Sequence, residues 1–430
     1  MSLQESIEAR LEPAGREQIG QLQIRRFTQL LGDLLGTNGF YTSKLGEAGV
    51  DSPHAVRSLD DLRRLPFTTK RELSDDQESN PPYGSNLTFP IDSYVKIHQT
   101  SGTTGEPLRC LDTVESWEWW ADCWATVFRA AEVSADDRIF YAFSFGPFIG
   151  FWSSYEGARK IGALASPGGG MSSVQRLKAI FANDMSVLVC TPTYALHLAE
   201  LAEQEGIDLA SSPIEKAILA GEPGAGLPAT RARIQRAWGA EAFDHAGATE
   251  VGAWGFECLD RNGLHVNEGE FIVEIIDPDT TEPASEGEVV ITNLGRPGYP
   301  VIRYRTGDRA RIETSPCSCG RTFARLDGGV IGRVDDVLIV RGINVFPSAI
   351  ENIIRSIPGT GEFAVDVRRS NELDEMTIRV EATAAKEADV VADTETAMRN
   401  ALNLRVRVEP VEHGTLPRFD LKARRFTDHR

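Results

Sequence analysis

The sequence predicts an α/β protein with a large N-terminal domain of β/α subdomains carrying a small β-barrel, and a small α+β C-terminal domain. Three observations lead there. Short apolar runs alternate with helical stretches of roughly ten to fifteen residues through the middle of the chain, the pattern of parallel β/α units. Beyond residue 265 the pattern becomes clean alternation between Pro-, Asp- and Glu-rich turns, as in an antiparallel meander or small barrel. After residue 332 a compact strand, turn, helix and strand succession begins. The expected domains are therefore residues 1–332 and 333–430 of the 430-residue chain.

In chain order, residues 1–75 mix charged and apolar side chains at helical spacing, as from Ile24 to Leu35. Pro81-Pro82-Tyr83-Gly84 ends that region, and Tyr94 to Ile97 alternates like a strand. Glu115 to Ala131 carries four tryptophans on a helical pattern, and Arg138 to Phe145 reads as a strand. Val187 to Cys190 and Ala217 to Gly221 are short apolar runs, and Glu241 to Phe243 is a further strand. Phe271 to Asp277 and Gly287 to Thr292 alternate. The C-terminal segment reads as a strand (Val337 to Val340), a turn at Arg341-Gly342, a helix (Pro347 to Ser356), two strands and a helix. There is no internal repeat and no low-complexity tract.

Composition removes several classes of function. With 63 acidic and 45 basic residues the formal charge is −18, which argues against a nucleic-acid surface. No stretch approaches the roughly 20 apolar residues of a membrane span, and Met1 to Ser6 shows no signal pattern. Six cysteines are too sparse for a secreted disulfide scaffold. A cytoplasmic protein with neither a nucleic-acid nor a membrane partner is expected.

Five segments carry chemistry. Residues 98–107 read His-Gln-Thr-Ser-Gly-Thr-Thr-Gly-Glu-Pro. Ser101, Gly102, Thr103, Thr104 and Gly105 can fold back and present N–H and hydroxyl groups to one point, which suits a phosphate chain. Gly247-Ala248-Thr249-Glu250 offers a hydroxyl and a carboxylate, and Glu250 beside a phosphate cradle suits magnesium. Tyr304-Arg305-Thr306-Gly307-Asp308 ends on a carboxylate able to accept hydrogen bonds from a ribose diol. Gly332-Arg333-Val334-Asp335-Asp336 sits at the expected boundary. Leu416-Pro417-Arg418 and Lys422 form a basic tail. Taken singly, each also reads as a turn, a helix cap or a solvated charge.

Two further groupings stand apart. Cys258 and His265, with Cys317-Ser318-Cys319-Gly320 some fifty residues later, make three thiols and an imidazole, a closed tetrahedral zinc set with a structural role; four unrelated core residues are the alternative. Cys110, Cys123 and Cys190 read as core thiols. Tyr141, Phe143, Phe145, Phe148, Phe151 and Trp152 concentrate aromatic rings that could line a slot for an aryl ring or pack a core.

In this order, the segments resemble the adenylate-forming superfamily of acyl-CoA synthetases, peptide-synthetase adenylation domains and luciferases. Within it the likeness is to the phenylacetate–CoA ligase branch of aryl-CoA ligases. It runs from Leu65-Pro-Phe-Thr-Thr-Lys70 through Thr100–Pro107, Gly247–Glu250 and Tyr304–Asp308. It continues with Gly332–Pro347 and ends on Leu416-Pro-Arg and Lys422.

The resemblance implies an enzyme that uses ATP, Mg2+ and coenzyme A. The carboxylate of an aromatic acid attacks the α-phosphate to give an acyl-adenylate and pyrophosphate; a mobile C-terminal domain then swings, and the thiol of coenzyme A attacks the carbonyl. By position, Ser101 to Gly105 would hold the β- and γ-phosphates, Thr249 and Glu250 would lie at the α-phosphate and magnesium, and Asp308 would bind ribose with Arg333 nearby. Asp335 would be the hinge and Lys422 the catalytic lysine, while Arg341 and Gly342 would face the thioester step. Tyr141, Phe145, Phe148 and Ala220 would border the acid, and Gly221, Glu222, Pro223, Ala246 and Gly247 would form a backbone wall near adenine. Zinc sites occur in relatives on this branch.

Three departures are visible. Ala246, with His245 beside it, stands where the family has an adenine-stacking aromatic. Leu108-Arg109 replaces a lysine that many members carry after the loop, and Leu421 replaces a glycine before the catalytic lysine. Two other readings are an adenylating enzyme that loads an acyl-carrier protein and a non-catalytic nucleotide-binding regulator. Retention of Glu250, Asp308 and Lys422 argues against the last.

Overall fold

The computed structural model describes residues 15–100, 107–147, 149–341, 343–370, 373–382, 386–419 and 422–430. The chain divides into two compact units, Met1–Gly169 with Phe243–Val330, and Gly170–Ala242 with Ile331–Arg430. The boundary expected at residues 332 and 333 lies beside Ile331, where the chain re-enters the second unit. Segment 170–242, expected with the N-terminal domain, packs in the same unit as 331–430.

In the first unit the helical N-terminal region resolves into Arg16–Leu34, Gly39–Glu47, Leu59–Arg63 and Lys70–Ser79. Their starts are written in the sequence as caps. Asn38 accepts from the Tyr41 N–H at 3.0 Å and Ser58 from Asp61 at 3.1 Å. Thr69 and Glu72 form a reciprocal capping box, at 2.7 and 3.2 Å. Phe27, Leu31, Leu34, Tyr41, Leu45 and Leu62 then bury against Ile272, Leu294 and Ile302. Each such side chain contributes about 1.5–3 kcal/mol of burial.

The helix Val114–Ala130 is buried on nearly every side, with Trp117, Trp119, Trp120 and Trp124 all inside. Two glycines make room for its indoles. A Cβ at Gly157 would lie 2.5 Å from Trp124 Cβ, and one at Gly295 would lie 2.3 Å from the Trp119 ring. Arg138–Tyr141 pairs in parallel with Leu164–Pro167 across the helix Ile149–Ile161. The strand expected to reach Phe145 stops at Tyr141, because the Phe143 N–H folds back on the Tyr141 carbonyl at 3.1 Å. Gly146-Pro147 then offers no ladder donor at the proline.

The alternating segments beyond 265 form the expected antiparallel arrangement. Phe271–Ile276 pairs with Glu286–Asn293, which pairs with Tyr304–Glu313, in register Phe271↔Asn293 and Ile291↔Tyr304. Arg325–Leu326, Leu264–Val266, Gly252–Phe256 and Glu241–Ala248 continue the antiparallel succession.

In the second unit, Val187–Cys190 and Lys216–Leu219 are parallel neighbours, completely buried apart from Lys216, as doubly covered strands must be. The C-terminal sheet runs Arg407–Val411, Leu373–Ala382, Thr360–Ser370 and Phe426–Asp428, and its core gathers Ile350, Ile354, Phe363, Val365, Ile378 and Met398. Arg233 ties segment 170–242 to this part. It donates to the Arg355, Ile357 and Thr360 carbonyls at 2.6, 3.0 and 2.9 Å, placing positive charge at the C-terminal end of the helix Pro347–Ser356. Burial, then the nearby Arg355, brings Arg233 down to about 10. In return Asn352 Oδ1 accepts from the Ala229 N–H at 3.1 Å, capping a helix whose own N-cap residue, Leu227, has no acceptor side chain. No helix among the described residues is long and apolar enough to cross a membrane.

Candidate active site

The glycine-hydroxyl loop, Ser101, Gly102, Thr103, Thr104 and Gly105, lies outside the described residues, as do Phe148 and Gly342. Its base is described. Tyr94–Gln99 pairs antiparallel with Arg109–Thr113, and Thr100 and Leu108 close the connection through two 3.0 Å bonds. His98 stacks on Trp117 with ring centroids 5.2 Å apart. Burial, helped by Arg296 and Lys96, lowers the His98 imidazole to about 4, so it is neutral at pH 7.

Glu250, in the turn that follows the strand Glu241–Ala248, is the most constrained carboxylate of the first unit's candidate residues. It is 7% exposed. Its Oε1 accepts from the Tyr304 hydroxyl at 3.3 Å and faces Lys70 Nζ at 3.5 Å, whereas Oε2 has no hydrogen bond among the described residues. Burial first, and the Glu250 charge next, raise the Tyr304 phenol well above its ordinary range, which keeps it a donor. The backbone beneath is held from inside. Arg296 donates to the Thr249 and Glu250 carbonyls at 2.9 and 3.2 Å while paired with Asp112. One carboxylate with a free oxygen fits magnesium, which takes a carboxylate or two and leaves its other positions to phosphates and water.

Asp308 follows the turn at Gly307 (φ +75°), whose N–H donates to Glu288 Oε1 at 3.1 Å. The Asp308 N–H donates to Thr306 Oγ1 at 3.0 Å, and the carboxylate is half-buried. Ala246 is half-buried and Gly247 exposed on the same strand. His245 does not replace the missing aromatic: it is buried, 4.2 Å from the Trp124 ring, with Nδ1 2.7 Å from the Gly255 carbonyl. Burial lowers it to about 4.

Of the expected acid-pocket residues, Tyr141 is fully buried and donates its hydroxyl to the Ser154 carbonyl at 2.8 Å. Phe145 is half-buried and packs 4.9 Å from Phe143, 4.6 Å from Trp152 and 6.1 Å from Tyr155. Trp152 is exposed. Phe145, Trp152 and Tyr155 therefore make an aromatic wall with accessible surface, while Tyr141 supports it from within.

The second unit brings together Lys422, Gly221 and Glu222. Ala220 is buried, its N–H on the Cys190 carbonyl at 3.1 Å; Gly221 and Pro223 are exposed. Gly221 adopts φ +97°, and a Cβ there would lie 3.8 Å from Lys422 Cε. Glu222 accepts the N–H groups of Thr193 and Ala423, each at 2.9 Å. Burial raises its carboxyl above the ordinary range, against those hydrogen bonds and the Arg425 charge. The Lys422 side chain is exposed and has no ion pair among the described residues. Elsewhere in this unit Arg333 pairs with Asp335 at 2.9 Å. Arg341, at φ +52°, donates to the Asp374 carbonyl at 3.0 Å.

The four expected zinc ligands converge. Cys258 Sγ is 3.6 Å from Cys317 Sγ, and Cys319 Sγ is 3.5 Å from His265 Nε2, with all four ligand atoms within 4.8 Å of one another. Zinc–sulfur bonds of about 2.3 Å set tetrahedral edges near 3.8 Å, so the set fits the ion. The Gly320 N–H closes the Cys317–Cys319 turn on the Cys317 carbonyl at 3.1 Å.

Several site residues carried no sequence signal. Lys70 and Tyr304 lie in segments noted as motifs, but nothing in those segments announced that both face Glu250. Arg296 sits in Gly295-Arg296-Pro297, which reads as an exposed turn. Glu200 and Glu381 share Arg418, whose Nε donates to Glu200 at 2.6 Å and Nη1 to Glu381 at 2.9 Å. Only tertiary folding unites those three.

Residues 342–430 match the family described as AMP-binding enzyme C-terminal domain. The chain is 34% identical over 380 residues to a phenylacetate–coenzyme A ligase of Thermus thermophilus, covering 87% of this chain and 83% of that one. It is 32% identical over 438 residues to a phenylacetate–coenzyme A ligase of Escherichia coli, covering 98% and 97%. Among solved structures, 2-hydroxyisobutyryl-CoA ligase in the postadenylation state, bound to R3-HIB-AMP, superposes with a TM-score of 0.93 at 27% identity, over 98% of this chain and 92% of that one.

Proposed function

The chain belongs to the phenylacetate–coenzyme A ligase family of adenylate-forming enzymes, and we propose that the acid it activates is aromatic and that Lys422 carries its first half-reaction. It is an AMP-forming acid–coenzyme A ligase. One acid oxygen attacks the α-phosphorus of ATP and pyrophosphate leaves. The coenzyme A sulfur then attacks the acyl carbonyl and AMP leaves.

The observation that carries the lysine assignment is its placement. Lys422, a cation with no ion pair among the described residues, lies beside Gly221 on the turn read as the adenine wall, its Cε 3.8 Å from where a Cβ on that glycine would sit. Positive charge aimed at the position where the α-phosphate and the attacking carboxylate share negative charge lowers the barrier most. Glu250 Oε2 would ligate magnesium, which when bound neutralises phosphate charge; Tyr304 and Lys70 orient the same carboxylate through Oε1. Thr249 would contact the α-phosphate, Asp308 the ribose and Ser101 to Gly105 the outer phosphates. Cys258, His265, Cys317 and Cys319 would hold one structural zinc ion, with no ligand position left for catalysis.

The aromatic acid is supported by the ring surface of Phe145, Trp152 and Tyr155, which offers edge and face contacts to an aryl group. The relatives named as phenylacetate–coenzyme A ligases support the same choice. A pyrophosphate-release screen tests it, using phenylacetate, benzoate and hydroxylated relatives against 2-hydroxyisobutyrate, each with coenzyme A and with a phosphopantetheinylated carrier protein. An aryl acid with coenzyme A is expected to give the highest kcat/KM. Preference for 2-hydroxyisobutyrate overturns the acid assignment, and preference for the carrier overturns the acceptor.

A further inference from the structure

We propose that Glu222 is a positioning residue whose side chain aims Lys422 during adenylate formation, beyond the backbone contribution its turn makes near adenine. The inference rests on the reading of Lys422 as the catalytic lysine. Glu222 spends its two oxygens on backbone donors about 230 residues apart in sequence: Oε1 accepts from Thr193 and Oε2 from Ala423, each at 2.9 Å.

The first bond anchors the carboxylate. Thr193 lies in the first turn of the helix Pro192–Gln204, where free N–H groups and the helix dipole favour an anion. That helix already has its cap, because Thr191 Oγ1 accepts from the Tyr194 N–H at 3.2 Å. The turn bearing Glu222 is also wedged in place: a Cβ at Gly224 would lie 2.2 Å from the Pro192 ring. Glu222 is thus a fixed acceptor with one oxygen directed away from the helix.

The second bond reaches the residue next to Lys422. Fixing the Ala423 N–H fixes the peptide plane joining it to Lys422, and so the direction in which the lysine leaves the backbone. Lys422 Cε packs beside Gly221, 3.8 Å from where a Cβ on that glycine would sit. Lys422 has no ion pair to orient it among the described residues, so the Glu222–Ala423 bond supplies its aim.

Glu222→Gln keeps the shape but offers one acceptor for two donors, and Glu222→Ala removes both. In the full-length protein, adenylation is measured by ATP–pyrophosphate exchange and thioester formation from supplied acyl-adenylate and coenzyme A. Lys422→Ala and the double variant Glu222→Gln/Lys422→Ala run in parallel. Misaiming a catalytic group by an ångström costs about 100-fold, so adenylation kcat should fall by about that factor in Glu222→Ala and by less in Glu222→Gln, with KM for ATP little changed. Thioester formation should fall much less, which also reports a folded protein. The double variant should be no slower than Lys422→Ala alone.

A rise in KM for ATP at unchanged kcat would reduce Glu222 to an adenine contact and overturn the proposal. So would an equal loss of both half-reactions, or multiplicative losses in the double variant. Full adenylation by Lys422→Ala would instead overturn the lysine reading on which the proposal rests.

Discussion

Arg296 and Asp112 form a two-bonded ion pair, 2.7 Å at each contact, and neither side chain has any exposed surface. Taking both charges out of water is costly, and what offsets it is the full set of partners around the guanidinium. Beyond Asp112, Arg296 donates to the Thr249 and Glu250 carbonyls, and it lies 5.3 Å from both the Trp120 and Tyr299 ring centroids. The pair therefore does more than stabilise. It fixes the turn that presents Glu250.

Asp112→Asn leaves Arg296 charged, buried and without its carboxylate. Denaturant unfolding should show a loss of about 3 kcal/mol or more. Pyrophosphate release by the folded fraction should require more magnesium for half-maximal rate. An unchanged magnesium requirement would detach Arg296 from the placement of Glu250.

Metal analysis of gently purified protein should find about one zinc per chain. Cys319→Ser, or a strong chelator, should lower the thermal midpoint by several degrees or more, because metal binding to a closed site is coupled to folding. Metal-free protein with an unaltered midpoint after chelation would remove the ion from the account.

Acid sensitivity has a definite sign at Glu362. Burial opposes its charge, but Arg355 and Arg425 outweigh it and hold the carboxyl at about 2, against an ordinary value near 4.5. A carboxyl depressed in the folded state contributes stability above its unfolded value and loses it as pH falls toward the folded one. The contribution, about 3 kcal/mol at neutral pH, should fade between about pH 4.5 and 2. Glu362→Gln should be less stable at pH 7 and show a flatter decline across that window. A parallel decline in variant and wild type would contradict the ion-pair account.

The sequence made the fold legible wherever the pattern was local. The Thr69–Glu72 capping box, the alternation of Phe271–Ile276 and the tryptophan helix at Val114–Ala130 each obey rules that span a few residues. The Cys/His quartet was legible because Cys-x-Cys and Cys-x6-His are local spacings, and the four side chains converge. What escaped was long-range. Glu222 was read only as backbone wall, since nothing near it announces Ala423, and Asp112 in a buried strand does not announce Arg296. The strand expected to run to Phe145 failed for a different reason. Arg138–Tyr141 does form a strand, but the fold-back of Phe143 onto Tyr141 ends the ladder early.

The two half-reactions of Lys422→Ala test the central claim most directly. ATP–pyrophosphate exchange with the preferred acid should fall at least about 100-fold, the scale for removing a group that stabilises developing charge. Conversion of supplied acyl-adenylate and coenzyme A to thioester should persist at a rate near that of the wild type. Exchange that survives the substitution, or equal loss of both steps, would contradict the assignment of Lys422 to adenylate formation.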